Sequence, residues 1–341
     1  MKRFLALALA LVMALSLVAC GNEGTNGENN PADTNGDGEI VIGLSLMDYS
    51  FQFFQDMVAS ARKTAEENGV TLVELDGGSD VQKQLDGLED MLVNYDLDAI
   101  FLNPVDADAI GAFTLQANNA GVPVITVDVR STEGEVYAHV ASSNYDIGAL
   151  AAGHALELLK VRHDGNATGT VFVMGFPQIT SMKDRAAGFV DFFKGYSDVT
   201  VVEINVTQLS NVDAQNLWDD TMVSYPEGQI DVIYGTNAQT ASGIIAATEA
   251  ANRNDFDVIG TDDDSAIMEA LAKNSFVAAT VVQSPIDMGK LGVEQCIAAA
   301  KGETLADKEI GTALQLVTRE GYAEYEKQYK IDHDAIAAWK D

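Results

Sequence analysis

From residue 39 onward, short runs rich in Val and Ile alternate with longer stretches of helical period. Nine runs have strand character: IVIGLSL (40–46), VTLVELD (70–76), AIFLNPV (99–105), VPVITVD (122–128), GTVFVMG (169–175), VTVVEIN (199–205), IDVIYGTN (230–237), FDVIGTD (256–262) and VAATVVQ (277–283). Between them the apolar positions recur every three or four residues. Phe54, Val58, Ala61 and Ala65 share one predicted helix face, and Val81, Leu85, Leu88, Leu92 and Tyr95 share another. The alternation predicts an α/β fold, and the unbroken apolar strands predict parallel sheets covered by helices on both faces. So many strands exceed what one twisted sheet of this kind carries, and two doubly wound lobes are expected.

In such sheets a ligand sits at the carboxyl ends of the strands. Those ends carry Asp48, Asp76, Asn103, Asp128, Asn237, Asp262 and Gln283. Any one of them alone suits a turn or a helix cap. As a set they are carboxylates and amides with few cations, and they accompany the stretch SFQFF, which places Phe51, Phe53 and Phe54 between the first strand and the first helix. A neutral polyhydroxylated ligand suits that combination, because its hydroxyls both donate and accept while its C–H faces lie flat on aromatic rings. The triplet Asp262, Asp263 and Asp264 could suggest a cation site, but Asp263 or Asp264 followed by SAIMEAL reads equally well as a helix N-cap, so only Asp262 is assigned to a ligand. No GxGxxG or GxxxxGK[ST] follows the first strand, no GxSxG occurs, and the four histidines lack metal-ligand spacing. No catalytic residue, metal or cofactor is expected.

The charge narrows the partners. The chain has 20 Lys and Arg against 52 Asp and Glu, a formal net charge of -32, so nucleic acid and anionic lipid surfaces are repelled. The first twenty residues put Lys2 and Arg3 ahead of an apolar run from Phe4 to Ala19, the layout of a secretory signal. Leu17 to Cys20 resemble the lipobox of bacterial lipoproteins, which implies cleavage, lipidation of Cys20 and anchoring to the outer face of the cell membrane. Residues 21–38, dominated by Gly, Asn and acidic residues, are expected to be a disordered tether. That leaves Cys296 in an apolar run, expected to be a small buried hydrophobe with no disulfide partner.

Several stretches, FFQDMVASARKTAEENGV, AIFLNPVDADAIGAFTLQANNAGVPVITVD, TEGEVYAHVASSN, TSMKDRAAGF, VIGTD and TVVQSPIDMGKLGVE, resemble in order the periplasmic ribose-binding protein family, over about residues 39–318. These are type I periplasmic binding proteins, the monosaccharide receptors of bacterial ABC importers. The resemblance implies a monomer of two lobes joined by a three-segment hinge, a sugar held between the lobes, and ABC permease subunits as partners. It implies lobes of residues 39–142 plus 284–312 and 143–283 plus 313–318, with crossings near Ser142, Gln283 and Thr312. Beyond it, residues 319–341 read as a helical tail with Tyr322, Tyr325, Tyr329 and Trp339 that packs on a lobe surface, a partner-binding role being the alternative. Phe53 and Phe54 match the family's stacking pair, Asp128 and Asp262 its carboxylates, Arg185 its second-lobe arginine, and Asn237 and Gln283 its amides.

Three positions depart from that pattern. The loop MDYSFQ lacks the family's asparagine, so Asp48, Ser50 or Phe51 takes its place; Val129 stands where a second arginine follows the aspartate, with Arg130 next along; and Leu209 replaces a stacking ring. Ribose itself is therefore open, with a hexose, another pentose, an inositol, a furanosyl signalling molecule or a nucleoside using the same polar set. The same fold also serves as a sensor for a membrane kinase or chemoreceptor. Alanine at Asp128 or Arg185 is expected to abolish a ligand-induced thermal shift and leave the unliganded melting point nearly unchanged.

Overall fold

The computed structural model describes residues 38–273 and 275–340. The signal segment, Cys20 and nearly all of the tether lie outside the described residues. Strands β1 (Ile40–Leu46), β2 (Val70–Asp76), β3 (Ala99–Leu102), β4 (Val124–Val127), β5 (Ala138–Ala141) and β11 (Glu309–Gly311) form one sheet in the order β11-β5-β4-β3-β1-β2. Strands β6 (Gly169–Gly175), β7 (Val199–Asn205), β8 (Val232–Gly235), β9 (Asp257–Thr261), β10 (Val277–Val282) and β12 (Gln315–Thr318) form the other in the order β12-β10-β9-β8-β6-β7. The orders coincide when β6 to β10 are set against β1 to β5, so one doubly wound unit occurs twice.

All nine predicted strands are present, several of them shorter than the apolar run that announced them. The pattern missed β5, β11 and β12, which have four residues or fewer. In β5 the polar His139 breaks the apolar run; its Nδ1 lies 2.9 Å from the Thr126 hydroxyl, which satisfies it within the sheet. Strand β12 runs antiparallel to β10, pairing Ala279 with Thr318, so the second sheet is mixed and not wholly parallel as expected.

The helices are α1 (Gln52–Asn68), α2 (Val81–Asn94), α3 (Gly111–Asn119), α4 (Asn144–Arg162), α5 (Thr180–Phe193), α6 (Asn211–Ser224), α7 (Ala238–Ala250), α8 (Ser265–Lys273), α9 (Pro285–Ala300) and α10 (Tyr322–Ile336). Helix α1 buries the predicted face, Phe54, Val58, Ala61 and Ala65. Helix α2 buries its predicted face in part: Leu88 is buried and Leu85 and Leu92 pack partly buried on the core, but Gln84 and Met91 are buried beside them and Tyr95 is exposed. Gln84 explains the offset. Its Nε2 donates to the Ser45 hydroxyl and the Asn103 carbonyl, and its Oε1 accepts from Val105 N–H, so a polar side chain is fully satisfied in the core.

The chain passes between the sheets after β5, after β10 and between β11 and β12. Ser142 Oγ and Thr312 Oγ1, on two of these passages, lie 2.8 Å apart. Cys296 is fully buried in α9, and burial pushes its thiol well above the ordinary range. The tail was expected to cover one lobe surface but spans both. Tyr322 and Tyr325 pack on the second-lobe core, while Trp339 donates from Nε1 to Glu66 and accepts from Arg62 on its backbone oxygen, both on α1. Among the described residues no helix is long and apolar enough to cross a membrane.

Candidate functional site

A cleft between the sheets encloses about 700 Å³ of empty space, part of it open to solvent. It lies at the carboxyl ends of the strands. From the first sheet's side Phe51, Phe53, Phe54 and Asp128 line it; from the second, Arg185, Asn237, Asp262 and Gln283.

The aromatic wall comes from the start of α1. Phe51 caps that helix with an extended backbone, so Phe53 falls in the first turn with its ring edge-to-face on Phe54, centroids 5.2 Å apart. Phe54 is anchored in the core at 6% exposure and holds the half-buried Phe53 at the cleft. Phe51 tilts against Phe54 at 6.3 Å.

Each lobe presents an aspartate by the same device. Asp128 follows β4 and Asp262 follows β9, and both have left-handed backbones, φ 61° and φ 74°. Each N–H still donates to the neighbouring strand, Asp128 to the Val140 carbonyl at 2.9 Å and Asp262 to that of Val281 at 2.8 Å. The strand thus keeps one more ladder bond before the chain reverses, and aspartate is among the few residues that tolerate that reversal. Asp262 accepts from Gln283 Nε2 at 2.7 Å and from Ala238 N–H at 3.2 Å. This bond fixes the amide of Gln283, whose buried Oε1 has no partner among the described residues.

Arg185 sits on α5, which packs on α4 with almost no space between them: a Cβ at Gly148 would lie 1.8 Å from the Arg185 carbonyl. Its Nε donates to Asn144 Oδ1 at 2.9 Å and its Nη1 to the Thr236 carbonyl at 3.0 Å. Two donors are therefore committed to the lobe, and Nη2 is left for the cleft. Asn237 serves twice, as the cap of α7 through a reciprocal box with Thr240 and as cleft lining.

The cleft is acidic. Burial raises the Asp128 carboxyl to about 6, with the Arg185 guanidinium opposing and the Asp262 charge adding to the rise. Burial likewise raises Asp263 to about 6, against a hydrogen bond from the Tyr325 hydroxyl at 2.7 Å.

Two expected residues are not brought to the cleft. Asp48 turns away from the cleft, accepting from Ser50 N–H in its own loop at 2.8 Å and from the Ser79 hydroxyl in the loop after β2 at 2.6 Å. Arg130 does not reach in to replace the guanidinium missing at Val129; it is exposed and pairs with Glu309 on β11, while Val129 itself lines the cleft. Leu209 lines it as well, which makes that wall aliphatic. Gln52, Ser181 and Asp263 are lining residues that pattern reasoning passed over. Asp263 was hidden by its neighbours: Asp264 performs the helix-capping role, accepting from Ala266 N–H, whereas Asp263 is buried. A signal for it existed only in the tail, where Tyr325 supplies its partner.

Comparison with known proteins gives a consistent picture. Residues 42–304 match the periplasmic binding protein domain family. The chain is 27% identical over 319 residues to the ribose import binding protein of Bacillus subtilis strain 168, covering 94% of this chain and 100% of that protein. It is 27% identical over 268 residues to its Escherichia coli K12 counterpart, covering 79% and 87%. A carbohydrate transporter solute binding protein from Agrobacterium radiobacter, solved with D-arabinose, superposes with a TM-score of 0.78 at 25% identity, covering 89% of this chain and 100% of that one. An ABC transporter solute binding protein from Bacillus halodurans C-125, solved with myo-inositol, superposes with a TM-score of 0.76 at 25% identity, covering 87% and 100%.

Proposed function

The chain belongs to the periplasmic binding protein domain family, and from that premise we propose that it captures a sugar or related small polyol in the interlobe cleft and delivers it to the membrane subunits of an ABC importer. The observation that carries this reading is the convergence on one cavity of an aromatic wall from one lobe with carboxylates, amides and a guanidinium from both. The C–H face of the ligand lies on Phe53. Arg185 Nη2 and Asp128 take hydroxyls from opposite sides by charge-assisted hydrogen bonds, and Gln283 Oε1 accepts a further one. Hinge closure then expels water, which strengthens each of these bonds and forms the surface a permease recognises.

We take the lobes as residues 39–142 plus 284–312 and 143–283 plus 313–318, acting as a monomer with no covalent chemistry of its own. Lipidation at Cys20 holds the receptor at the outer membrane face. The test is a calorimetric and thermal-shift screen with D-ribose, D-arabinose, D-glucose, xylitol, myo-inositol and adenosine. A ligand at a hundred times its dissociation constant adds about 2.7 kcal/mol of stability. If no sugar, polyol or nucleoside shifts the melting point, the reading fails.

A further inference from the structure

The tail lies along α1 in register. Tyr325, Tyr329 and His333 recur at every fourth position of α10, Tyr325 tilted against Tyr329 with centroids 6.0 Å apart and Tyr329 stacked on His333 at 3.7 Å. Each rung meets a different partner. The Tyr325 hydroxyl donates to Asp263 Oδ2, Gln52 Nε2 donates to the Tyr329 hydroxyl, and His333 Nδ1 lies 3.4 Å from Asp56. Two of these partners line the ligand cleft, Gln52 from the first lobe and Asp263 from the second. The third, Asp56, is inaccessible to solvent and is ion-paired with Lys340, beyond the helix end.

The two ends of the tail thus belong to different lobes. Strand β12 and the packing of Tyr322 and Tyr325 hold its beginning to the second lobe, whereas Trp339 and Lys340 hold its end to α1 in the first. A rigid helix fixed at both ends cannot follow a hinge rotation without breaking one set of contacts. We propose that the C-terminal segment is a strap that holds the lobes at this spacing, and that Tyr325 and Tyr329 are positioning residues which keep Asp263 and Gln52 aimed into the cleft. The strap itself does not depend on what the cleft binds; the positioning role rests on the cleft being the ligand site.

The experiment uses full-length protein with two double variants. W339A/K340A releases the far anchor, well away from the cleft, and Y325F/Y329F removes only two hydroxyls. Small-angle X-ray scattering without ligand is expected to show a larger radius of gyration for W339A/K340A than for the unmodified chain. Titration calorimetry with D-arabinose and myo-inositol is expected to show Y325F/Y329F binding about fivefold or more weakly, because Asp263 and Gln52 lose the hydrogen bonds that aim them into the cleft, with its radius of gyration unchanged. Superimposable scattering curves together with unchanged affinities overturn the proposal, as does a fall in melting point with neither of the other changes, which marks a merely packed helix. A larger radius of gyration in a protein that binds neither probe supports the strap and counts against the ligand reading alone.

Discussion

Replacing Asp128 by asparagine keeps the shape of the side chain and a residue that tolerates the left-handed backbone at φ 61°. It also keeps an oxygen to accept from Asn103 Nδ2, and it removes a charge that the unliganded fold holds at a cost. The carboxyl rises from 3.8 to about 6, first through burial and then through the nearby Asp262 charge. That displacement corresponds to about 3 kcal/mol of penalty on the ionised form. Because the folded value lies above the unfolded one, the carboxyl contributes no penalty below pH 4. The penalty grows as pH rises through the folded value and is complete above it. D128N is therefore expected to melt higher than the unmodified protein at pH 8, by roughly 5 °C if the full penalty is recovered, and to melt with it at pH 4. Differential scanning calorimetry of both proteins without ligand, at the two pH values, measures this. Ligand affinity is expected to fall in the same variant, since the charge-assisted acceptor is gone. An unliganded D128N that melts lower at pH 8, or gains equally at both pH values, refutes the reasoning. The outcome also departs from the simpler expectation that this position is thermally silent in the unliganded protein.

Arg185→Ala is expected to abolish the ligand-induced shift and, unlike the sequence-based expectation, to destabilise the unliganded protein by about 2–4 kcal/mol, because Asn144 and the Thr236 carbonyl lose a buried charged donor; urea titration reads the loss. Phe53→Ala is expected to weaken ligand binding about tenfold or more by calorimetry, with a small effect on stability, since the ring is only half-buried and its core neighbour Phe54 remains. Gly148→Ala forces a methyl against the Arg185 carbonyl at 1.8 Å and is expected to cost about 1–3 kcal/mol and to weaken binding by moving α5. Gly153→Ala on the same helix, where the nearest atom lies 3.9 Å away, is expected to be neutral or stabilising by up to about 1 kcal/mol.

The fold was legible in the sequence wherever a strand was long and buried on both faces. IVIGLSL and GTVFVMG could only be central strands, and their bounds agree with β1 and β6. What escaped was decided by tertiary partners. His139 in β5 and Gln84 in α2 are polar positions that the core satisfies, so an apolar template skips both. The site divides the same way. Phe51, Phe53, Phe54, Asp128, Arg185, Asn237, Asp262 and Gln283 converge because strand ends and helix starts of a doubly wound sheet meet at one edge, which topology alone dictates. Asp48 and Arg130 lie in equally suitable places along the chain, yet the Ser79 hydroxyl from another loop and a distant glutamate claim them first. No spacing rule reveals that competition, nor does one link Tyr325 to Asp263 across 62 residues.

The energetic features concentrated at the cleft share one direction. Two aspartates stand in a backbone region that favours glycine, two carboxyls are raised to about 6 by burial, and one amide oxygen is buried without a partner among the described residues. Each lowers the stability of the unliganded protein; on the proposed reading, hydrogen bonds donated by a ligand into the closed cleft offset the raised Asp128 carboxyl and the unpartnered Gln283 oxygen, while the backbone strain stays. The relief is largest when both lobes reach the ligand together, because Asp128 and Arg185 lie on opposite sides and feel each other without forming an ion pair in the described structure. A direct contact between them would satisfy the cleft with nothing bound and would close it prematurely. On the proposed reading, holding them apart makes the ligand the missing link between the lobes. On that reading binding free energy is converted into closure, which lets an importer distinguish a loaded receptor from an empty one.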